Sequence, residues 1–361
     1  MKKKILYIYR YDALKNILHD DGSLTGPAEF LWGMRDIDRT QYDVRCINAP
    51  RLEKRKGIRK AFWIVEFVFG KTTKIGMPLE IYPMFQKELQ WADEIVCVND
   101  PISMAILAWR WCGFLRGKKV HCFIMSLQER IKYFRWFRPA VWLVSMLLRQ
   151  ADSLMTLSDF VHGDFIHDYH LDQKKVKTVY FGIDTDFWYP AEETSEDSFL
   201  LAIGNDMNRD FATLVDALPD DMELKIITKK KVDIKGKRIT LLSQWMTDDD
   251  VRVMYHKALA IVVPSTALKN ESSGLSCALQ TLACRRPLII SDAPPLMEVL
   301  KDTEDCLFYK AENSDDLREK IQSLRKNRDL RAHLAHNGYE TVIHRYTCKN
   351  MSKELELIFK T

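Results

Sequence analysis

Residues Ile261 to Leu300, IVVPSTALKNESSGLSCALQTLACRRPLIISDAPPLMEVL, decide how the chain reads. A β-branched apolar run ends at Pro264-Ser265, a polar loop follows with one acid, Glu271, and Ser272-Ser273-Gly274 opens an apolar stretch of helical length. Pro287 to Ser291 reads as a second strand, and Pro294-Pro295 marks another helix start. Strand, helix and strand in that order predict a parallel sheet. The junction after Pro264 sets a carboxylate near first-turn N–H groups that have no helical partner, where the helix dipole favours negative charge. Phosphorylated ligands bind open α/β sheets at such junctions.

Working outward, apolar runs of strand length alternate with helical patterns along the whole chain. In the first half the candidate strands are 5–9, 42–48, 94–98, 120–125, 153–157 and 176–180; in the second they are 199–204, 223–228, 239–242, 260–264, 288–291 and 306–309. Two such series predict an α/β chain of two doubly wound parallel-sheet domains. The polar segment Pro190-Ala-Glu-Glu-Thr-Ser-Glu-Asp has no apolar periodicity and reads as the linker, so the expected domains are 1–190 and 191–361. The last third is helical, with helices expected at 314–325, 328–345 and from Lys349, the last crossing back to the first domain.

Composition fits this reading and excludes others. Apolar residues make up 47% and charged residues 29% of 361, as in a folded globular protein, and the length suits two domains. The eight cysteines include no CxxC pair, so buried reduced thiols in a cytoplasmic protein are expected rather than disulfides or zinc. The start, MKKKILYIYRYD, breaks its apolar run at Arg10 and reads as a first strand rather than a leader. The longest uncharged apolar run, Pro139 to Leu148, is about half of what a membrane span requires.

The net charge of +4 is unevenly placed, because residues 51–150 carry 18 Lys and Arg against 8 Asp and Glu. Cations lie beside aromatic residues in 51–69, in Trp109-Arg-Trp-Cys-Gly-Phe-Leu-Arg and in Tyr133-Phe-Arg-Trp-Phe-Arg. That interleaving suits an anionic membrane surface, which would make the protein peripheral on the cytoplasmic face; the alternative is helices whose apolar sides pack on the sheet. No nucleic-acid reader motif accompanies the charge. His162, His167 and His170 stand at helical spacing without further ligands in register, and Asp184 and Asp186 read as turn acids, so no metal site is expected.

Four blocks, in order, resemble glycosyltransferase family 4, a retaining group on the GT-B fold, in which two Rossmann-like domains face a cleft. VYFGIDTDFWYP (179–190) is similar to the family's "pNGvDtxxFxP", and LLAIGNDMNRDFATLVDAL (200–218) to "vGRxxxxKGfxxLixA". LSQWMTDDDVRVMYHKALAIVVPS resembles "GxvsxeeLxxlyxxAdvfvxPS", and the opening stretch "ExxGLxxxEAmAxGxPVI". The resemblance implies a retaining hexosyltransferase that uses a nucleotide-sugar donor, needs no metal or cofactor, and serves polysaccharide biosynthesis with a glycan or lipid acceptor.

Carried over residue by residue, the resemblance gives Arg209 the place of the diphosphate-binding Lys and Glu271 that of the acid at the donor sugar, which makes these two the catalytic candidates. Gly204, Asn205, Ser273, Gly274 and Leu275 complete the donor site, and Gln280 stands where a second acid grips the ribose. Arg offers phosphate a planar fork, and an amide still accepts and donates. In the first domain Thr25-Gly26-Pro27-Ala28 stands at the family's Gly-rich turn, and the strand HCFIMSLQE presents Ser126 and Gln128 at its exit, so Gly26, Ser126 and Gln128 are the acceptor-side candidates. Asn205 replaces an Arg, Gln280 replaces an acid, and Glu271 and Gln280 stand nine apart, one residue more than the acids' usual spacing. These departures leave two alternatives open: a GT-B binding or scaffolding subunit without efficient transfer, and another GT-B enzyme such as an epimerase or phosphorylase.

Overall fold

The computed structural model describes residues 2–10, 14, 17–18, 24–49, 58–192, 199–243, 246–267, 269–270 and 272–360, with the backbone alone for 58–61. Glu271, most of the expected linker, and Arg55 and Lys56 of the basic segment lie outside the described residues.

All twelve expected runs are strands. They are β1 (Lys3–Arg10), β2 (Tyr42–Ala49), β3 (Glu94–Cys97), β4 (Lys119–Phe123), β5 (Ser153–Thr156), β6 (Val176–Thr178), β7 (Phe199–Ile203), β8 (Glu223–Ile227), β9 (Ile239–Leu242), β10 (Ala260–Val263), β11 (Leu288–Ser291) and β12 (Leu307–Tyr309). Central strands such as β10 and β11 are buried along their whole length, which is why they read as continuous apolar runs rather than alternating ones. Helices start where the sequence offers an acceptor for orphan N–H groups. Asn99, Asp210, Asn313 and Asn327 each accept from a first-turn N–H, and Thr247 with Asp250 forms a capping box.

The chain forms two compact units. The first comprises 1–25, 30–180 and 351–361 and holds a parallel sheet in the order β2-β1-β3-β4-β5-β6. Its core is built on Leu6, Ile8, Ile95, Val120 and Leu154, with Leu107, Val144 and Leu148 packed from the helices. The final helix, Cys348–Lys360, contributes to it. Ser352 Oγ donates to the Gly33 carbonyl, Tyr180 N donates to Glu354 Oε2 at 2.8 Å, and Phe359 lies edge-on to Tyr42.

The second unit comprises 26–29 and 181–350, with the order β12-β11-β10-β7-β8-β9. The chain changes unit between Tyr180 and Phe181, upstream of the polar segment after Pro190. Residues after Phe181 already belong to the second unit: Ile183 N donates to the Tyr346 carbonyl at 2.7 Å, Cys348 N donates to the Ile183 carbonyl, and Trp188 is buried. The segment Gly26–Glu29 also packs there rather than with its sequence neighbours, because Ala28 N donates to Asp184 Oδ2 and Glu29 accepts from Trp188. In this sheet the strand order reverses between β7 and β10, the topological switch point at which open α/β sheets bind ligands.

Candidate functional site

At the carboxyl ends of β7 and β10 the second unit gathers its donor-site candidates around one guanidinium. Arg209 is 6% exposed, and every nitrogen of its fork is engaged. Nε donates to the Ile203 carbonyl at 3.0 Å, Nη1 donates to Ser265 Oγ and Ser273 Oγ at 3.2 Å each, and Nη2 lies 3.7 Å from Cys277 Sγ. Asp206 supplies the counter-charge, with Oδ2 3.1 Å from Nη1, and its Oδ1 accepts from Ser273 Oγ at 3.1 Å. The loop is closed by backbone bonds, Asp210 N to the Pro264 carbonyl and Thr266 N to the Asn208 carbonyl. Lys230 Nζ adds a clamp by donating to the carbonyls of Asp206, Met207 and Arg209.

Two glycines make room for this cation. Gly204 has φ +149°, and a Cβ there would overlap Arg209 Nε. Gly274 has φ +95° as the residue before the helix Leu275–Ala283, and a Cβ would stand 2.6 Å from Val263 Cγ1 and 3.3 Å from Arg209 Nη1. Both positions suit glycine's freedom at positive φ. No side chain caps this helix start, and Leu275 N donates to the Ser272 carbonyl at 3.0 Å. A buried cation beside a helix start without a side-chain cap can hold an anion with two oxygen-rich centres, such as a diphosphate.

The remaining candidates occupy distinct settings. Asn205 Oδ1 accepts from Lys229 N at 2.6 Å, so its amide organises the turn after β8. Gln280 is engaged at both ends of its amide: Oε1 accepts from Tyr255 Oη at 3.2 Å, and Nε2 donates to Glu29 Oε1 at 3.1 Å. In the first unit, Ser126 is held by the buried Asp100, whose carboxylate accepts from the N–H and Oγ of Ser126, while Gln128 is 7% exposed with Oε1 unpartnered. Asp184 accepts from the N–H of Asp186 and of Ala28, the turn role expected. All eight cysteines are free, five of them buried. Among the described residues no group of three or more His, Cys, Asp or Glu is placed to hold a metal.

Two residues that sequence reasoning passed over belong to this site. Lys230 carried a visible signal, a Lys229-Lys230-Lys231 run at the exit of a strand. Glu29 carried none, because its partners lie 159 and 251 residues away. Its Oε1 accepts from Trp188 Nε1 at 2.8 Å and from Gln280, while Oε2 is buried without a partner. Burial pushes the Glu29 carboxyl up to about 7, and the nearby Asp184 charge acts in the same direction, against the pull of the Gln280 and Trp188 hydrogen bonds.

Residues 228–341 match the family described as glycosyl transferases group 1. An uncharacterized glycosyltransferase of Methanocaldococcus jannaschii is 28% identical over 200 residues, which cover 53% of this chain and 54% of that protein. The alpha-maltose-1-phosphate synthase of Mycolicibacterium smegmatis is 22% identical over 262 residues, 62% of this chain and 67% of its own length. The chain thus spans between about half and two thirds of these curated relatives. Among solved structures, the sucrose-phosphate synthase of Thermosynechococcus elongatus superposes with a TM-score of 0.74 at 15% identity, covering 99% of this chain and 98% of that one. Anabaena HepE, in complex with UDP and glucose, gives 0.69 at 13% identity, covering 99% of each. At such identities the likeness is one of fold, and the chain has the GT-B fold of two parallel six-stranded sheets with flanking helices. The family match and the relatives support a group 1 glycosyltransferase.

Glu29 gives a pH dependence with a defined sign. Below pH 4.5 the carboxyl is protonated in both folded and unfolded chains; between 4.5 and about 7 the unfolded chain releases a proton that the folded one keeps. Stability therefore falls as pH rises through that window, by about 3 kcal/mol at most, and stays lower above it. Glu29→Gln keeps the acceptor oxygen and removes the ionisation. Melting followed at pH 5 and pH 8 should show the variant gaining on the parent at pH 8. An equal difference at both values would mean that Glu29 ionises normally.

Proposed function

We propose that this protein transfers a sugar from a nucleoside diphosphate donor, with retention of configuration, to a membrane-linked glycan or lipid held by the first unit, as a step in cell-surface polysaccharide synthesis. The observation that carries the reading is the Arg209 guanidinium, buried against the start of the helix Leu275–Ala283 at the switch point of the second sheet. Cleavage of the bond between sugar and phosphate leaves growing negative charge on the diphosphate. A fixed cation and a helix start without a side-chain cap stabilise that charge more in the transition state than in the ground state.

In this reading Asp206 marks the phosphate position. Its carboxylate already bridges Arg209 and Ser273, so an incoming phosphate takes over both hydrogen bonds as Asp206 turns out to solvent. The half-exposed aspartate is free to make that turn at little cost. Glu271 would hold the sugar hydroxyls, Ser273, Gly274 and Leu275 the diphosphate, and Gln280 the ribose through the oxygen that Tyr255 now occupies. The departing phosphate oxygen accepts the acceptor's proton on the same face, a route that needs no separate protein base. HepE, which binds UDP and UDP-glucose, makes a uridine nucleotide the first donor to test.

A second reading, a subunit that binds the nucleotide without turning it over, is favoured by the engaged amide of Gln280 and by the Asn205 amide oxygen accepting from Lys229 N. Thermal shift across UDP-, GDP- and ADP-sugars identifies the donor, since a ligand at 100 times its Kd adds about 2.7 kcal/mol. Product formation with membrane-extract acceptors then separates the two readings.

Three substitutions test the assignment. Arg209→Ala should weaken nucleoside diphosphate binding and slow transfer together, by about 2 to 4 kcal/mol, with Arg209→Lys between it and the parent. Asp206→Ala should tighten binding of the bare nucleoside diphosphate, because it removes a competing anion; weaker binding in calorimetry would make Asp206 an organiser instead. Glu271→Gln should cut transfer while leaving affinity for the bare nucleotide near the parent's, and equal losses would remove Glu271 from the sugar.

A further inference from the structure

We propose that the first unit docks on an acidic phospholipid bilayer through the segment Ile131–Arg149, which has a phosphate cavity on one flank of its helix and a hydrocarbon groove on the other. The inference rests on the reading of a membrane-linked acceptor and names the surface by which the protein would reach it. Lys132, Tyr133, Arg135, Trp136, Phe137, Arg138 and Pro139 are all exposed. Trp136 is 79% exposed and Trp142, one helical turn past Arg138, is 58% exposed. The helix Arg138–Leu148 buries Val144, Leu147 and Leu148 and so presents the opposite ridge outward.

The groove, about 400 Å³, runs between this helix and the helix Ile58–Thr73. Ile64, Val65 and Val68 line it from one side, and Phe137, Ala140 and Leu143 from the other. Its two hydroxyls are already used: Thr72 Oγ1 donates to the Val68 carbonyl and Thr73 Oγ1 donates to the Phe69 carbonyl. Nothing among these residues can hydrogen-bond a sugar or a peptide edge, so the groove suits hydrocarbon. The ridge side chains carry the same bias. Ile64, Val65 and Val68 are each more than half exposed, at a cost in water that lipid contact removes.

The other flank has the opposite chemistry. A cavity of about 610 Å³ is lined by Arg135, Arg138 and Arg149 against one acid, Asp168. Arg135 pairs with Asp168 at 2.9 Å, and Arg149 donates to the His170 carbonyl. Arg138 has no hydrogen-bond or ion-pair partner among the described residues. Ser145 lines the same cavity at 3% exposure, and its buried Oγ has no hydrogen-bond partner. Excess positive charge and a free hydroxyl match a phosphate monoanion, while the two tryptophans match the polar-apolar boundary of a bilayer. A bilayer of acidic lipid supplies both chemistries side by side. Nucleic acid would leave the hydrocarbon groove unused.

The test is sedimentation of the full chain with vesicles of phosphatidylcholine alone and of phosphatidylcholine mixed with phosphatidylglycerol. Binding should require the acidic lipid and fade with salt over the Debye range. Arg135→Gln with Arg138→Gln, both at exposed positions, should weaken binding roughly 30-fold, about fivefold for each charge. Val65→Ser with Val68→Ser should release the protein with its charge intact, and Ser145→Ala should weaken acidic-lipid binding without altering the melting temperature. Calorimetry with the nucleoside diphosphate, run on the same proteins, should show unchanged donor binding. Indifference to lipid charge, parent-like binding by the variants, or equal binding to polyuridylate would overturn the docking site while leaving sugar transfer standing. Loss of donor binding with lipid binding intact would count against the transfer reading alone.

Discussion

The buried guanidinium of Arg209 sits where the second unit's loops converge, and the geometry of that region depends on the hydrogen bonds it donates. A buried guanidinium is stable only if its donors are met and its charge is answered. Here the Ile203 carbonyl at the end of β7, Ser265 after β10 and Ser273 before the helix meet the donors, and Asp206 answers the charge. Three chain segments that share no local sequence signal are thereby fixed to one centre. The glycines at 204 and 274 follow from that choice, since a side chain at either would meet the guanidinium or the strand behind it.

A second buried group shapes the neighbourhood differently. Glu29 comes from a four-residue excursion of the N-terminal chain into the second unit and meets Gln280 and Trp188 there. A carboxylate at 280 would stand within hydrogen-bond distance of another buried carboxylate. Like charges at that separation are costly in a low dielectric, so a neutral amide at 280 is the natural complement of an acid at 29. Read alone, Gln280 looks like a lost acid. In its setting it is the donor that a buried acid requires.

The first unit separates two jobs along one helix. Its buried residues are ordinary core, while Arg138 and Trp142 stand exposed on the opposite side. The sequence set cations beside aromatics, but which cations share a cavity and which aromatics stand free depended on how that helix packs beside Ile58–Thr73. The basic residues before Ile58 carried part of the same signal and lie outside the described chain.

The sequence by itself determined the twelve strands, their division into two series, the helix starts and the strand-to-helix junction after Pro264. These features depend on apolar runs, capping residues and prolines acting within a few residues of one another. The resemblance of two of its blocks to a known glycosyltransferase family implied that Arg209, Ser273 and Gly274 share one donor site. The unit boundary at Tyr180 and the allegiance of Gly26–Glu29 were decided only by tertiary structure. So were the Glu29–Gln280 pair and the free Ser145 hydroxyl beside Arg138. Burial and hydrogen-bond satisfaction are properties of surroundings assembled from distant segments, and a single sequence read in order carries no term that couples residue 29 to residue 280.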